Sequence, residues 1–384
     1  MPNMKDKSKA IVIGLLDHTK DTDSQKSSLD EAKSLLNVYG IMDVAIMTQN
    51  ASHRDGGTYI GSGKVQELAQ IVQNEDISII VINDDLKAGQ LFTIKSLIAP
   101  QDECKIWDRT QLILQIFKKH ASTAEAKLQI ELAELNHRGP ELSGAGISMS
   151  QQGGGIGTRG LGETQTEIMQ RHWRREIKAI ENKLDKLLQN RHQQMSHRKK
   201  SNIPTVSIIG YTNAGKTTLF NTLSNKKDKV RDALFATLDS SVSTIYLQNI
   251  GKEIFLSDTI GFIQDLPTML IDAFKSTLME TINADILLHV IDSSDPNISI
   301  KIETVEAILE SLGLETKQQV FVFNKADKIS PTQQKELANN TNELHIFTSA
   351  TNDVGLKDLV ELIEQELLKK GLKRAKHLAY LDNL

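Results

Sequence analysis

The feature that most constrains this chain of 384 residues is a glycine-rich run that ends in a lysine and a hydroxyl residue. It has the G-x-x-x-x-G-K-[ST] spacing of a phosphate-binding loop. Apolar Val206, Ile208 and Ile209 precede it and the helix-forming sequence TLFNTL follows, which is the strand, loop and helix context that such a loop requires. The loop consists of Gly210, Tyr211, Thr212, Asn213, Ala214, Gly215, Lys216 and Thr217. The pattern therefore predicts a polyphosphate site rather than an ordinary glycine-rich turn.

The residue types of this loop indicate what each one does. Successive backbone N–H groups point into one cavity, and the N-terminus of the following helix adds partial positive charge, so anionic phosphate is favoured there. We expect Lys216 to contact the β- and γ-phosphates and the Thr217 hydroxyl to bind Mg²⁺.

A second segment, KEIFLSDTIGF, places a carboxylate and a glycine at the end of an alternating apolar strand. Its motif consists of Asp258, Thr259, Ile260 and Gly261. An aspartate in this place reaches Mg²⁺ through water, and the glycine lets its backbone N–H approach the γ-phosphate. D-x-x-G alone occurs in many turns, but its position about forty residues after the phosphate loop, at a strand end, makes it specific.

Two further segments predict the base. The buried strand QVFVFN leads into a motif made of Asn324, Lys325, Ala326 and Asp327, and HIFTSATNDVG supplies Ser349, Ala350 and Thr351. The Asp327 carboxylate can accept two hydrogen bonds from the N1–H and N2–H₂ edge of guanine, whereas adenine would leave it unpaired. Asn324 and Lys325 would brace the loop and the base, and the backbone of the second motif can cap the guanine oxygen. A polar turn after a strand is the alternative, and the other motifs in order disfavour it.

The order of these motifs resembles that of the small GTP-binding proteins over residues 200 to 370. Alternating strands and helices in this region predict a mostly parallel sheet covered on both faces. Between the phosphate loop and D-x-x-G lies a run made of Phe235, Ala236, Thr237, Leu238 and Asp239. Thr237 is the candidate switch threonine whose hydroxyl completes the Mg²⁺ shell; an ordinary surface hydroxyl is the alternative.

Two residues suggest how hydrolysis is catalysed. Phe262 follows the D-x-x-G motif, where many signalling GTPases carry a glutamine that orients water, and a phenylalanine cannot bond that water. We therefore predict slow intrinsic turnover. Asn213 is a candidate ligand for K⁺ against the phosphates, by analogy with GTPases that have an asparagine at this loop position; loop-shaping hydrogen bonds are the equal alternative. The candidate catalytic residues are Lys216, Thr237, Gly261 and Asn213.

The first half of the chain predicts two further parts. Apolar runs AIVIGLL, DVAIMT and ISIIVINDD alternate with helical spacing, which predicts a small α/β domain. TYIGSGKV within it lacks the leading glycine and the final hydroxyl of a phosphate loop, so a structural turn is favoured over a nucleotide or RNA contact. The apolar residues of two helices have the spacing of an antiparallel helical hairpin about 45 Å long: Leu128, Leu132 and Leu135 on the first, and Ile177, Ile180, Leu184 and Leu187 on the second.

The second helix of this hairpin is strongly basic and follows a glycine-rich stretch, GAGISMSQQGGGIGTRGLGETQTE. Charged runs on helices are usually solvated faces, and a glycine-rich run alone indicates a flexible linker. Because a basic residue lies within the stretch and a basic helix follows it, we interpret both as a surface for phosphate contacts. The candidate RNA contacts are Arg159, Arg171, Arg174 and Arg175.

The combination of TYIGSGKVQEL, DRTQLILQIF, GGGIGTRGLGETQTE, GYTNAGKTTLFNTL, FATLDS, DTIGFIQDLPTMLIDAFKSTL, ADILLHVIDSSDP and NKAD resembles the HflX family of ribosome-associated GTPases over about residues 8 to 370. The resemblance implies an N-terminal α/β domain, a helical hairpin and a GTPase domain. It also implies binding to the large ribosomal subunit and a role in splitting or rescuing ribosomes under stress. Phe262, Asn213 and Thr237 fit this family. Many of its members extend into a further small domain, whereas this chain ends soon after residue 370.

We therefore predict an α/β protein with four parts: an N-terminal domain (1–110), a helical hairpin (111–200) with a glycine-rich loop at about 143–163, a GTPase domain (201–371) and a short tail (372–384). A single cysteine, Cys104, fits a reducing cytoplasm, and no apolar run is long enough to span a membrane. The net charge of −4 means that RNA contacts must depend on local basic surfaces. We expect a monomer. A ribosome-assembly GTPase and a nucleotide-gated scaffold with negligible hydrolysis are the alternatives.

Overall fold

The structure of this protein is a computed structural model. It describes residues 8–19, 21–99, 104–152, 165–200, 203–224, 241–267, 270–271 and 278–373; for 140–152, 165–166 and 190–200 only the backbone is described. The chain forms two compact units, one made by residues up to Lys119 together with Lys127–Lys186, the other by His120–Ala126 and the residues from Leu187 onwards. The predicted domain boundaries near residues 110, 200 and 371 stay predictions.

The first unit begins with a parallel four-stranded sheet in the order β2-β1-β3-β4. Its strands and helices are β1 (Lys9–Leu16), α1 (Thr22–Tyr39), β2 (Asp43–Asn50), α2 (Ser62–Asn74), β3 (Ile77–Ile82), α3 (Ala88–Ile98), β4 (Lys105–Asp108) and α4 (Arg109–His120). The sequences of β1 and β3 are continuously apolar and buried, as strands covered on both faces require. This confirms the predicted small α/β domain.

The predicted hairpin consists of α5 (Ala124–Gln152) and α6 (Gln165–Lys200). Its buried face differs from the predicted one on α5: Ala126, Ile130 and Ala133 are buried, whereas Leu128, Leu132 and Leu135 are only partly buried. The face of α5 that is buried is therefore turned from the face predicted by the leucine spacing. On α6 two of the four predicted seam residues, Ile180 and Leu184, are buried, whereas Ile177 and Leu187 are only partly buried.

Part of the stretch that the sequence assigns to a glycine-rich loop is helical. Residues 143–152 continue α5, and residues 153–164, which include Arg159, lie outside the described residues. The described part contains two glycines but no proline, and a glycine weakens a helix by only about 1 kcal/mol, so a helix that is already formed can extend through it.

The second unit is built on a six-stranded sheet in the order β10-β9-β8-β5-β7-β6, in which only β6 runs antiparallel to its neighbour. Its strands are β5 (Thr205–Gly210), β6 (Ser241–Leu247), β7 (Lys252–Asp258), β8 (Ile286–Asp292), β9 (Gln319–Asn324) and β10 (His345–Phe347). Its helices are α7 (Lys216–Ser224), α8 (Met279–Asn283), α9 (Ile298–Ser311), α10 (Pro331–Asn339) and α11 (Leu356–Lys369). The mostly parallel sheet confirms the predicted fold class.

The core of this unit explains the strand sequences. Central β5 and β8 are buried almost throughout, whereas edge strand β6 alternates and exposes Thr244 and Tyr246. Since β5, β7, β8 and β9 are parallel, their carboxyl ends meet at one edge of the sheet, where open α/β sheets bind ligands. Among the described residues, no helix is long and apolar enough to cross a membrane.

Candidate functional site

The last residue of each of four strands either belongs to a predicted nucleotide-binding motif or contacts one. Gly210 ends β5, Asp258 ends β7, Asp292 ends β8 and Asn324 ends β9. The phosphate loop leaves β5 and leads into α7, which begins at Lys216. The motifs that are far apart in the sequence thus meet at one edge of the sheet.

The backbone of the phosphate loop needs glycine at two positions. Gly210 has φ +143°, and a Cβ there would lie 2.2 Å from the carbonyl oxygen of Val290 on the neighbouring strand. Gly215 has φ +94°, and a Cβ there would lie 2.2 Å from the Asn324 side-chain nitrogen. Asn213 also adopts the left-handed conformation, at φ +63°, which asparagine tolerates better than most residues. The loop is therefore curved by sequence rather than by a bound molecule.

The Lys216 side chain is buried inside this curve. Its ammonium donates a hydrogen bond of 2.7 Å to the carbonyl oxygen of Tyr211. Burial lowers the pKa of Lys216 to about 8, the Asp258 carboxylate opposes that shift, and Lys325 adds to it. Burial and the Lys216 charge also lower the pKa of His289, on β8, to about 3, so its imidazole is neutral. An anionic ligand is the missing partner that such a desolvated cation would favour.

The residues predicted to hold Mg²⁺ lie together where they are described. Thr217 Oγ1 donates a hydrogen bond of 2.8 Å to Asp258 Oδ2, and Asp258 is fully buried at the end of β7. A hydroxyl and a carboxylate are the hard oxygen groups that Mg²⁺ takes, so Thr217 and Asp258 would hold the ion here. The donor set therefore fits Mg²⁺. Thr237, its third predicted contact, lies outside the described residues with Phe235, Ala236, Leu238 and Asp239.

Hydrogen bonds of its backbone join the D-x-x-G segment to the phosphate loop. Phe262 N–H donates to Gly210 O at 3.1 Å, Thr212 N–H donates to Phe262 O at 2.8 Å, and Gln264 N–H donates to the Tyr211 hydroxyl at 2.7 Å. Thr259 Oγ1 donates to Ile208 O at 2.7 Å, which fixes the start of the segment to β5. Backbone and side-chain hydrogen bonds thus fix the segment that should sense the γ-phosphate to the phosphate loop and β5.

Gly261 has no room for a side chain. A Cβ there would lie 2.7 Å from Thr212 Cγ2 and 2.9 Å from Lys216 Nζ. Phe262, the next residue, is buried in an apolar cluster with Ile209, Tyr211 and Leu278. Its ring therefore belongs to the core, which agrees with its predicted inability to orient water.

The predicted base-binding motifs also come together. Asn324 is buried and links three segments: its Nδ2 donates to Ala214 O at 2.9 Å, and its Oδ1 accepts from Ala350 N–H at 3.1 Å and from Thr348 Oγ1 at 3.4 Å. Ala326, Asp327 and Lys328 form a short 3₁₀ turn in which Asp327 is exposed and available to a base. A guanine oxygen would have to share the Ala350 N–H with Asn324, so the predicted capping role of Ser349, Ala350 and Thr351 stays a prediction.

Sequence reasoning missed one residue of this pocket. The Lys325 ammonium donates to Asn213 O at 2.7 Å and to the Asp292 carboxylate at 2.7 Å. Hydrogen bonds from Lys325 and Ser294 hold the pKa of Asp292 below its usual range despite partial burial. The signal was available, since Asp292 follows a buried apolar strand, ILLHVI, as Asp258 and Asn324 do. Asp292 fixes the lysine between the phosphate loop and the base motif.

The second glycine-rich segment, in the first unit, has the geometry of a structural turn. Tyr59 is buried, and its backbone pairs with Asp55 before α2 begins at Ser62. The Lys64 ammonium pairs with Glu67 at 3.1 Å on the same helix. These contacts account for the residues of the turn without a ligand.

Comparison with protein families matches three consecutive parts of the chain. Residues 26–118 match a family described as GTP-binding GTPase N-terminal, residues 120–198 match GTP-binding GTPase Middle Region, and residues 205–325 match 50S ribosome-binding GTPase. Together they cover the sheet of the first unit, the helical hairpin and the phosphate-loop unit.

Individual relatives cover nearly the whole chain. It is 43% identical to the GTPase HflX of Caldanaerobacter subterraneus subsp. tengcongensis, over 95% of this chain and 82% of that protein. It is 36% identical to the GTPase HflX of Escherichia coli, over 91% of this chain and 80% of that protein. A crystal structure of SsGBP in complex with GDP matches with 26% identity and a TM-score of 0.51, over 95% of this chain and 100% of that one. The chain therefore belongs to the HflX family of GTPases and is an enzyme that binds and hydrolyses GTP.

Proposed function

We propose that this GTPase binds the large ribosomal subunit in its GTP-bound state, splits or rescues ribosomes under stress, and leaves after hydrolysis. The observation that carries the proposal is an exposed basic stripe on α6. Arg171, Arg174, Arg175 and Lys178 follow the spacing of one helical face and are all exposed, whereas Ile180 and Leu184 are buried. The description of the matched family, 50S ribosome-binding GTPase, supports the same partner. This partner implies a cytoplasmic location.

A solvated helix face is the competing explanation of the basic stripe. Acidic neighbours offset only part of its charge: Glu181 lies 3.5 Å from Lys178, and Glu176 lies 4.0 Å from His172. Exposed pairs of this kind contribute about 0–1 kcal/mol. The exposed arginines can exchange their present contacts for phosphate oxygens, which they bind well.

In the proposed cycle Lys216, Gly261 and the loop backbone hold the triphosphate, and Asp327 selects guanine. Thr217 and Thr237 would bind Mg²⁺, with Asp258 acting through water. The ion supplies positive charge that offsets the charge developing on the phosphates. The γ-phosphate would fix Gly261 and the segment around Thr237, and hydrolysis would release both, which changes affinity for the subunit. Asn213, exposed and next to the phosphate site, is our candidate ligand for K⁺.

The test is co-sedimentation of the protein with large ribosomal subunits in GTP, GDP and a non-hydrolysable GTP analogue, combined with GTP turnover with and without subunits. We expect more protein in the pellet with the analogue than with GDP, and faster turnover with subunits. Equal pelleting in all three nucleotides would contradict the proposal. Preferential binding to immature particles would favour a ribosome-assembly role instead.

The proposed K⁺ site has a separate test. If Asn213 holds K⁺ against the phosphates, turnover is faster in KCl than in NaCl at equal ionic strength, and Asn213→Ala removes the difference. A wild-type protein that turns over equally fast in both salts would exclude the ion.

A further inference from the structure

The phosphate loop contains a buried hydroxyl with no hydrogen bond. Thr212 is 5% exposed, and its Oγ1 has no hydrogen-bond partner in the part of the chain that the structure describes. Its backbone N–H, by contrast, donates a hydrogen bond of 2.8 Å to Phe262 O. A buried hydroxyl without a partner costs free energy, so its presence calls for a ligand that satisfies it during function.

The position of Thr212 indicates which ligand. A Cβ built on Gly261 would lie within 3 Å of both Thr212 Cγ2 and Lys216 Nζ, at 2.7 and 2.9 Å. Thr212 and Lys216 therefore flank the same small space beside Gly261. The proposed roles of Lys216 and Gly261 make this the place of the γ-phosphate, and the inference depends on those roles.

The residue after Gly261 supplies no polar side chain that could orient the attacking water. Phe262, which occupies the place of a water-orienting glutamine, is 2% exposed and packs in the core with Leu278 and Leu287. Its backbone is held by hydrogen bonds with Gly210 O and Thr212 N–H, and its ring is packed in the apolar cluster. The Thr212 methyl group lies beside Gly261 and shares its Cβ with the hydroxyl, so rotation of the side chain about the Cα–Cβ bond can bring the hydroxyl to a water there without any movement of the segment around Phe262.

We propose that Thr212 Oγ1 accepts a hydrogen bond from the water that attacks GTP. In this step the water oxygen bonds to the γ-phosphorus and the bond from the γ-phosphorus to the β–γ bridging oxygen breaks. GDP takes the electron pair of that bond, and the proton of the water ends on inorganic phosphate. Thr212 neither gains nor loses a proton in this step. It is a catalytic residue because it contacts the attacking water, and it acts by orientation.

The test compares Thr212→Val, which keeps the shape and removes the hydroxyl, with Thr212→Ser, which keeps the hydroxyl. In single-turnover hydrolysis without ribosomes we expect Thr212→Val to be about 100-fold slower than wild type. We expect its affinities for GTP and GDP to stay within about twofold, because the hydroxyl acts in the transition state. Thr212→Ser should recover most of the rate. Binding of GDP with aluminium fluoride, which imitates the transferring phosphoryl group, should weaken only in Thr212→Val.

Thermal unfolding separates this role from a structural one. Because the hydroxyl is buried without a partner, its removal should leave Tm unchanged or raise it while the rate drops. The matched control is Ser257→Ala: Ser257 Oγ is also buried without a hydrogen-bond partner in the described part of the chain, but it lies within strand β7. We expect Ser257→Ala to hydrolyse GTP at the wild-type rate.

Three outcomes would overturn the inference: a wild-type rate in Thr212→Val, an equal loss of rate in Thr212→Ser, or a loss of GTP affinity with an unchanged rate. The last would mean that the hydroxyl binds the γ-phosphate of the ground state. None of these measurements involves ribosomes. A failure of subunits to bind or to accelerate wild-type turnover would therefore contradict the proposed function and leave the role of Thr212 to be decided by its own variants.

Discussion

At the scale of single residues, the state of Lys216 couples nucleotide binding to pH. The ammonium is buried and has a pKa of about 8, whereas a lysine in the unfolded chain has about 10.5. Between these values the unfolded chain binds more protons than the folded one, so this group makes the nucleotide-free protein more stable as pH rises through that window. Polyphosphate beside the ammonium favours its charged form and raises its pKa. Binding therefore draws a proton from solution wherever free Lys216 is partly neutral.

This coupling gives a calorimetric prediction. At pH 8, binding of the non-hydrolysable GTP analogue should take up about half a proton per site, and at pH 7 only about a tenth. Affinity should decline as pH rises above 8, since more lysine must then be protonated on binding. Titration calorimetry in two buffers of different ionisation enthalpy measures the uptake directly. The values at pH 7 serve as the control, and equal uptake at both pH values would show that Lys216 is fully charged before binding.

The neighbouring lysine shows what a motif alone does not contain. NKAD identifies Lys325, but its ammonium is fixed by Asp292, which lies 33 positions earlier. No motif includes that aspartate, because its role arises from the pairing of β8 with β9, where Asp292 is opposite Asn324. Sequence reasoning could predict the residues that contact the nucleotide. It could not predict the contact between Asp292 and Lys325, because this contact depends on which strands become neighbours in the sheet.

At the scale of elements, the helical hairpin depends on one close contact. Trp173 on α6 lies against Gly139 on α5, and its indole N–H donates to Leu135 O at 3.2 Å. A Cβ on Gly139 would lie 2.1 Å from Trp173 Cζ2. An indole ring is rigid, so it cannot yield to an added methyl group without moving the ring or the helix. The glycine that weakens α5 locally is what allows α6 to approach it.

We therefore predict that Gly139→Ala destabilises the first unit by about 1–3 kcal/mol, as overpacking does. Helix propensity alone would favour the alanine by about 1 kcal/mol, so the two effects have opposite signs. Gly63→Ala on α2 is the matched control, because a Cβ there has no neighbour within 4 Å, and it should leave stability unchanged or raise it. Urea unfolding followed by circular dichroism gives both values. Equal behaviour of the two variants would show that the ring adapts freely.

The elements also show where local sequence patterns suffice. The apolar runs of β1, β3 and β9 predict buried parallel strands, and the spacing of Ile180 and Leu184 predicts the seam of α6. Strand β4 has only four residues, too few to show a periodicity. The helical backbone of residues 143–152 contradicts local propensity, which favours a loop for GAGIS. The first case depends on pairing with β3, and the second depends on the helix that precedes these residues.

At the scale of the whole molecule, charge is distributed unevenly. The formal net charge is −4, so long-range attraction to RNA cannot come from the protein as a whole. Acidic groups instead serve as internal partners in several places, as Asp258 does for Thr217 and Asp292 for Lys325. Arg171, Arg174 and Arg175 of α6 remain exposed. A polyanion as large as ribosomal RNA would therefore bind this surface by displacing its own counterions locally.

This distribution of charge predicts that the affinity for large subunits declines steeply with salt and that the slope depends on the basic surface of α6. The logarithm of the affinity for large subunits should decline linearly with the logarithm of salt concentration, because each phosphate contact releases counterions. Replacing Arg171, Arg174 or Arg175 by Gln should each reduce the slope by about 0.7–0.9. Lys357→Gln, at an exposed position of α11, removes the same charge elsewhere and should leave the slope unchanged. If all four variants shift the affinity equally, net charge rather than the α6 surface governs binding. A slope near zero for the wild type would exclude RNA contacts from the interface.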